Sequence, residues 1–197
     1  MSMTPPVDSM ATPPPKTNNT SLILVLVLGG GAFACLVGIA VLAAILFPVF
    51  AQARRQAQRT AAMSQMKQLA LGNLMYANDH DDRLPLANAW MDELRPYIRS
   101  ERIFHSPLAG RGGPGLESEY GIAFMKSLSG AKLTRIPNPA GRVVLFDSTL
   151  MGRNASSGLE TLPKPPRFGN AETGGNVFAF ADGHVKLLAA TSEVNLK

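Results

Sequence analysis

Between Ser21 and Phe47 the chain runs for 27 residues without a charged side chain, then meets Pro48 and the basic segment VFAQARRQAQR. A run that long and that apolar suits a helix crossing a lipid bilayer. In helical form it reaches about 40 Å against about 30 Å of hydrocarbon, so it either tilts or begins in the interface. Gly29, Gly30 and Gly31 weaken it locally, each by about 1 kcal/mol relative to Ala. Pro48 is expected to kink the helix near its exit rather than end it. A cleaved signal peptide is the competing reading, with Lys16 as the positive flank and Ala32-Phe33-Ala34 before Cys35 as the cleavage site. Cleavage there would leave the apolar stretch from Leu36 to Phe47 as a membrane-seeking amino terminus, and Phe33 is bulky for a lipoprotein signal. An uncleaved anchor fits better.

The span divides the chain. Residues 1–20 hold five prolines and no apolar periodicity, which predicts a disordered, partly polyproline lead. Residues 21–48 form the transmembrane helix. Residues 49–197 are enough for one soluble domain that buries a core without staples. The sole cysteine, Cys35, lies in the span, so that domain has no disulfide. The net charge of +5 is uneven. Arg54, Arg55, Arg59 and Lys67 follow the span with no acid before Asp79, and cations beside a bilayer contact anionic headgroups. The cluster is short and has no interleaved aromatics, so no nucleic-acid partner is expected.

Good helix formers continue from Pro48 to Tyr76. Met63, Met66, Ala70, Leu74 and Ala77 recur every three or four residues, which predicts one apolar stripe. Asn78 to Asp82 and Pro85 stop that helix, a short helix is expected from Trp90 to Ile98, and Ser106 to Gly115 reads as loop. RVVLFD (Arg142 to Asp147) reads as a strand. Asn176 to Ala181 and His184 to Leu188 flank Asp182-Gly183, the sequence of a two-residue hairpin turn. Pairing outward from that turn sets Phe180 opposite Val185 and Phe178 opposite Leu187 on one core face. His184 and Lys186 then fall on the other face with Ala179 and Ala181. The expected architecture is α+β: a transmembrane helix continuing into a long amphipathic helix, packed on a small antiparallel sheet.

That architecture is pilin-like, and three stretches carry the comparison. LAAILFPVFAQARRQAQRTAAMSQMKQLALGNLMYANDHDDRLP (Leu42 to Pro85), RVVLFDS and NVFAFADGHVKLL resemble, in the same order, a bacterial family of type IV pilin- and pseudopilin-like proteins. Members carry a domain of unknown function ending in a motif of His, nine residues and Asp-Gly, matched here by Asp182 and Gly183. Three departures bear on function. With Pro48 aligned to the pilin proline, Leu26 stands where the prepilin peptidase needs Gly, and Gly31 where fibre assembly needs Glu. Glu172 stands where the terminal motif has its His. Ala62 and His105-Ser106-Pro107 occupy the places of two family cysteines. The resemblance implies a pilin-type domain that has kept its anchor and lost its processing.

Some pseudopilins bind calcium, and Asp79, Asp81 and Asp82 are the candidate ligands. They lack the Gly and closing Glu of an EF-hand loop, and Asn and Asp also simply terminate helices. Asp182 and His184, with Asp147 on another strand, suggest an acid–base set, but the turn and a solvent-facing strand position account for the first two. There is no Gly-x-Ser-x-Gly and no metal-spaced His or Cys pair, and His80, His105 and His184 are scattered. The chain therefore reads as a non-enzyme without cofactors. Its expected partners are the lipid bilayer and other pilin-like or envelope proteins. Counting cations beside the span places the domain in the cytoplasm. The resemblance places it on the extracytoplasmic side of the bacterial inner membrane, and that is the expectation adopted.

Overall fold

The computed structural model describes residues 19–109, 120–169 and 174–189, with side chains from residue 36 onward. The Pro-rich lead to residue 18 and Glu172 lie outside the described residues. The chain divides into two compact units between Phe50 and Ala51.

The first unit holds the start of α1, a helix that runs unbroken through Asn19–Asp79. It continues through the three glycines and through Pro48, whose ring removes one hydrogen bond without ending the helix. All residues from Leu36 to Phe50 are exposed, Phe47 at 79%. By length and composition this helix can cross a membrane, and it is the one such helix among the described residues. Apolar side chains on every face suit a lipid environment and not water.

In the second unit α1 becomes one-sided. Ala62, Met66, Leu69, Ala70, Gly72, Asn73 and Ala77 are buried, while Ser64, Lys67, Gln68, Leu71 and Met75 are exposed. The expected stripe is confirmed at Met66, Ala70 and Ala77, while Met63 and Leu74 are half-buried at its margin. Leu69 is fully buried and central. Asp79 ends the helix, and Asp81 and Asp82 turn the chain in the left-handed region (φ 53° and 64°). A short helix α2 (Trp90–Leu94) and a 3₁₀ turn (Arg95–Tyr97) occupy the place expected for one longer helix; Pro96 prevents its continuation.

The sheet contains β1 (Ile122–Met125), β2 (Val143–Asp147), β3 (Ser156–Ser157), β4 (Gly175–Phe180) and β5 (Val185–Ala189), in the order β3-β1-β2-β4-β5. It is mixed rather than antiparallel, because β3 pairs parallel to β1. Neither β1 nor β3 was expected. β3 has two residues, too few for a periodic signal. It is held in place from outside, since Ala155 O accepts both Phe124 N–H (2.9 Å) and the Trp90 indole N–H (3.0 Å).

The hairpin register also differs from expectation by one residue. Phe178 faces Lys186 and Ala179 faces Val185, because the turn has three residues rather than two. Gly183 N–H donates to Phe180 O, Phe180 N–H donates to His184 O, and Gly183 adopts φ +84°, the geometry of a turn closed by a left-handed glycine. A one-residue slip moves every side chain of a strand to the other face. Val177, Ala179, Val185 and Leu187 therefore face the cluster built by Met66, Leu69 and Trp90. Phe178 and Phe180 join Ala123 and Phe146 on the opposite face, under Leu159, Leu162 and Leu188. A bulge in β2 at Val144 lets Val144 and Leu145 both reach the helix-side cluster.

Removing the Leu69 side chain leaves a cavity at the centre of the helix–sheet seam. Leu69→Ala should lower stability by about 3 kcal/mol, whereas Leu71→Ala, on the exposed face, should change it by less than about 0.5 kcal/mol. Urea unfolding of the detergent-solubilised chain distinguishes the two faces.

Candidate functional site

Four places in the domain concentrate polar or charged side chains, and their geometry separates structural roles from surfaces open to a ligand. The most deeply buried is at the end of β2. Asp147 and Arg167 form an ion pair (Oδ1 to Nε, 3.5 Å) with side chains only 2% and 6% exposed. Asp147 also accepts hydrogen bonds from Val177 N–H (2.7 Å) and the Ser106 hydroxyl (3.4 Å). Arg167 donates to the carbonyls of Ser148 and Gly121, and Asn176 ties the Arg167 backbone to Pro163 O. Burial pushes the Asp147 carboxyl up to about 6, against the opposing pull of Arg167, Val177 N–H and Ser106. The network joins β2, β4 and the 163–168 segment. It is a structural pin, and Arg167 also contributes to the wall of a cleft beside α1.

Asp182 and His184 do not meet Asp147. Val143, at the other end of β2, is the residue opposite Phe180 beside the turn. Asp182 accepts from the His184 backbone N–H (3.0 Å) and is bonded to its ring Nδ1. Burial raises the Asp182 carboxyl, but these His184 contacts outweigh it and hold the group below its ordinary value. The His184 ring stacks on Phe180 at 4.2 Å, so both residues brace the hairpin.

The acidic turn after α1 is occupied by its own contacts. Asp79 accepts from the Tyr97 hydroxyl (3.0 Å) and from Asn78. Asp82 accepts from Thr134 N–H (2.8 Å), and hydrogen bonds from the Thr134 side chain and backbone hold its carboxyl low. Among the described residues no group of three His, Cys, Asp or Glu side chains is placed to hold a metal ion.

The cations after the span separate into two sets. Arg54, Arg55 and Arg59 are exposed. Arg55 and Arg59, with Gln52 and Gln56, line a cleft of about 510 Å³ bounded by Leu108 and Leu187. Lys67 differs from expectation: its Nζ donates to Gly183 O at 2.6 Å, fastening α1 to the hairpin turn instead of facing lipid. A Cβ on Gly183 would also lie 2.6 Å from Leu74 Cδ1, so the helix packs closely on the turn.

Arg167 was not legible as a site residue, since it lies in an irregular segment rich in proline. The one sequence signal for it is Asp147, a carboxylate closing an apolar strand, which requires a buried partner. No family model matches the chain, and no curated protein or solved structure is significantly similar to it.

The pin makes a pH-dependent prediction. The Asp147 carboxyl at about 6 lies above its ordinary 3.8, so the folded state holds a proton that the unfolded chain releases as pH rises between those values. Its contribution is therefore full below pH 3.8 and lost as pH rises through 6. Arg167→Gln leaves a buried carboxylate without its counter-charge and should destabilise the domain by about 3 kcal/mol at pH 7.5. The loss should be smaller at pH 4.5, where Asp147 is protonated. Urea unfolding at the two pH values checks the difference.

Proposed function

We propose that this chain is a single-pass, membrane-anchored, pilin-like protein of the bacterial envelope, with a non-catalytic structural or interaction role. The observation that supports this most is α1, apolar on all sides to Phe50 and one-sided from Ala62 onward. A helix shared between a bilayer and a domain core tethers that domain to the membrane. Arg54, Arg55 and Arg59 follow the span closely enough to sit at the headgroup level and hold its depth. The domain faces the extracytoplasmic side of the inner membrane, and its partners are lipid and other pilin-like or envelope proteins.

A second reading, a pseudopilin subunit of a type II secretion or type IV pilus-like fibre, is favoured by the helix-on-sheet architecture. Gly31 opposes it, because a glycine cannot supply the negative charge that fibre assembly uses at that place.

Alkaline phosphatase fused after Lys197 should be active and a fluorescent protein at the same place dark; the reverse pattern puts the domain in the cytoplasm. The intact mass of the membrane-extracted protein should include residues 1–26. Loss of those residues together with N-methylation at Val27 would establish the fibre-subunit reading instead.

A further inference from the structure

A second basic cluster lies beyond the end of α1, far in sequence from Arg54 and Arg59. Arg83, Lys132, Arg135 and Arg142 line a cleft of about 500 Å³, with Gly130 and Ile136 among its walls. Three stretches of chain bring the four together. Leu84 N–H donates to Ala131 O (2.9 Å) and Leu133 N–H to Asp82 O (2.8 Å), so that Arg83 and Lys132 form an antiparallel bridge. Arg135 closes the 3₁₀ turn Leu133–Arg135, anchored by buried Ile136. Arg142 follows the turn Pro139–Gly141, and its carbonyl accepts from Ala181 N–H at 2.8 Å beside the hairpin. The backbone positions of all four cations are set by the fold.

Their charge is not balanced from within. Like charges directly opposite across a bridge destabilise it, and Arg83 opposite Lys132 is such a pair. The ion pairs among the described residues use Arg95, Arg153, Arg167 and His184, and none of these four. Arg83 Nη1 donates to a neutral carbonyl, Gly130 O, at 3.3 Å. The adjacent carboxylate, Asp82, is hydrogen-bonded to Thr134 N–H and offers one negative charge beside four positive ones. Among the described residues no acidic side chain lines the cleft itself.

A concave surface lined by one sign of charge focuses the field and concentrates counter-ions. Guanidinium groups suit two-pronged binding of phosphate. The volume falls in the range of small-molecule sites, roughly 300–1,000 Å³, and among the described residues it lacks the aromatic lining on which single-stranded nucleic acid stacks. We propose that this cleft binds a compact anion carrying two or more phosphate groups, held by Arg83, Lys132, Arg135 and Arg142. The phosphates belong either to a soluble molecule or to a lipid headgroup. The site is separate from the arginines that follow the membrane span.

The test is calorimetric titration of the full chain, in uncharged detergent, with inorganic pyrophosphate. Saturable one-site binding is expected, weakened by about tenfold or more in Arg135→Gln/Arg142→Gln and retained in Arg55→Gln/Arg59→Gln. Pyrophosphate should raise the thermal midpoint of the chain, and Lys132→Gln should reduce that rise. That measurement stands even if the double variant folds poorly. Competition by cardiolipin, whose headgroup carries two phosphates, in mixed micelles identifies a lipid headgroup as the source of the phosphates, and absence of competition identifies a soluble molecule. The proposal is overturned by no saturable binding at millimolar pyrophosphate. It is equally overturned by binding that sulfate reproduces in full, or by binding lost in Arg55→Gln/Arg59→Gln and kept in Arg135→Gln/Arg142→Gln.

Discussion

One helix has to satisfy two solvents, and the rest of the structure follows from how it does so. Through Phe50, α1 exposes apolar side chains in every direction, which is stable only where the surroundings are themselves apolar. From Ala62 the same helix keeps a single buried stripe. Ala62 and Ala70 are small enough to let the sheet approach, while Met66 and Leu69 fill the space between helix and strands. Lys67, beside that stripe, then reaches the Gly183 carbonyl and ties the far hairpin to the helix. The core is thus assembled on a plate that the membrane-following half of α1 provides.

The polar groups divide according to whether the fold uses up their charge. Arg167 is consumed by Asp147 and two carbonyls inside the domain. Arg153 is consumed at the surface by Asp92, Glu101 and Tyr120, linking the loop before β3 to α2. Asp92 in turn is held below its ordinary value, first by Arg153 and then by Asn154. Against that pattern, Arg54, Arg55 and Arg59 on one hand, and Arg83, Lys132, Arg135 and Arg142 on the other, keep charge that no acidic side chain among the described residues neutralises at ion-pair distance. Unspent charge of one sign is where a lipid or a ligand gains most.

Long periodic signals were legible in the amino-acid sequence and short or non-local ones were not. The uncharged run, the stripe through Met66, Ala70 and Ala77, and RVVLFD each repeat one pattern over several residues. The hairpin was legible as a hairpin, but its register turned on one residue: Asp-Gly serves a two-residue turn or, as here, the end of a three-residue one with Gly183 left-handed. That choice decides which face Phe178 and Phe180 occupy, and it is made by packing on both sides of the sheet. β3 depends on partners distant in the chain, since Trp90 and Met91 hold Ala155 and Asn154 just before it, and β1 in turn pairs with β2 and β3. The basic cleft was hidden for the same reason, since its four cations span residues 83 to 142.

The central claim, that α1 passes from lipid into the domain core, is tested most directly by a nitroxide scan from Leu36 to Arg59 in lipid nanodiscs. Power saturation compares access to oxygen, which partitions into hydrocarbon, with access to a water-soluble nickel chelate. The account predicts oxygen-dominated access on every face of the helix through Phe47, and nickel access appearing between Gln52 and Arg59. Nickel access at every position from Leu36 to Phe47 would contradict it.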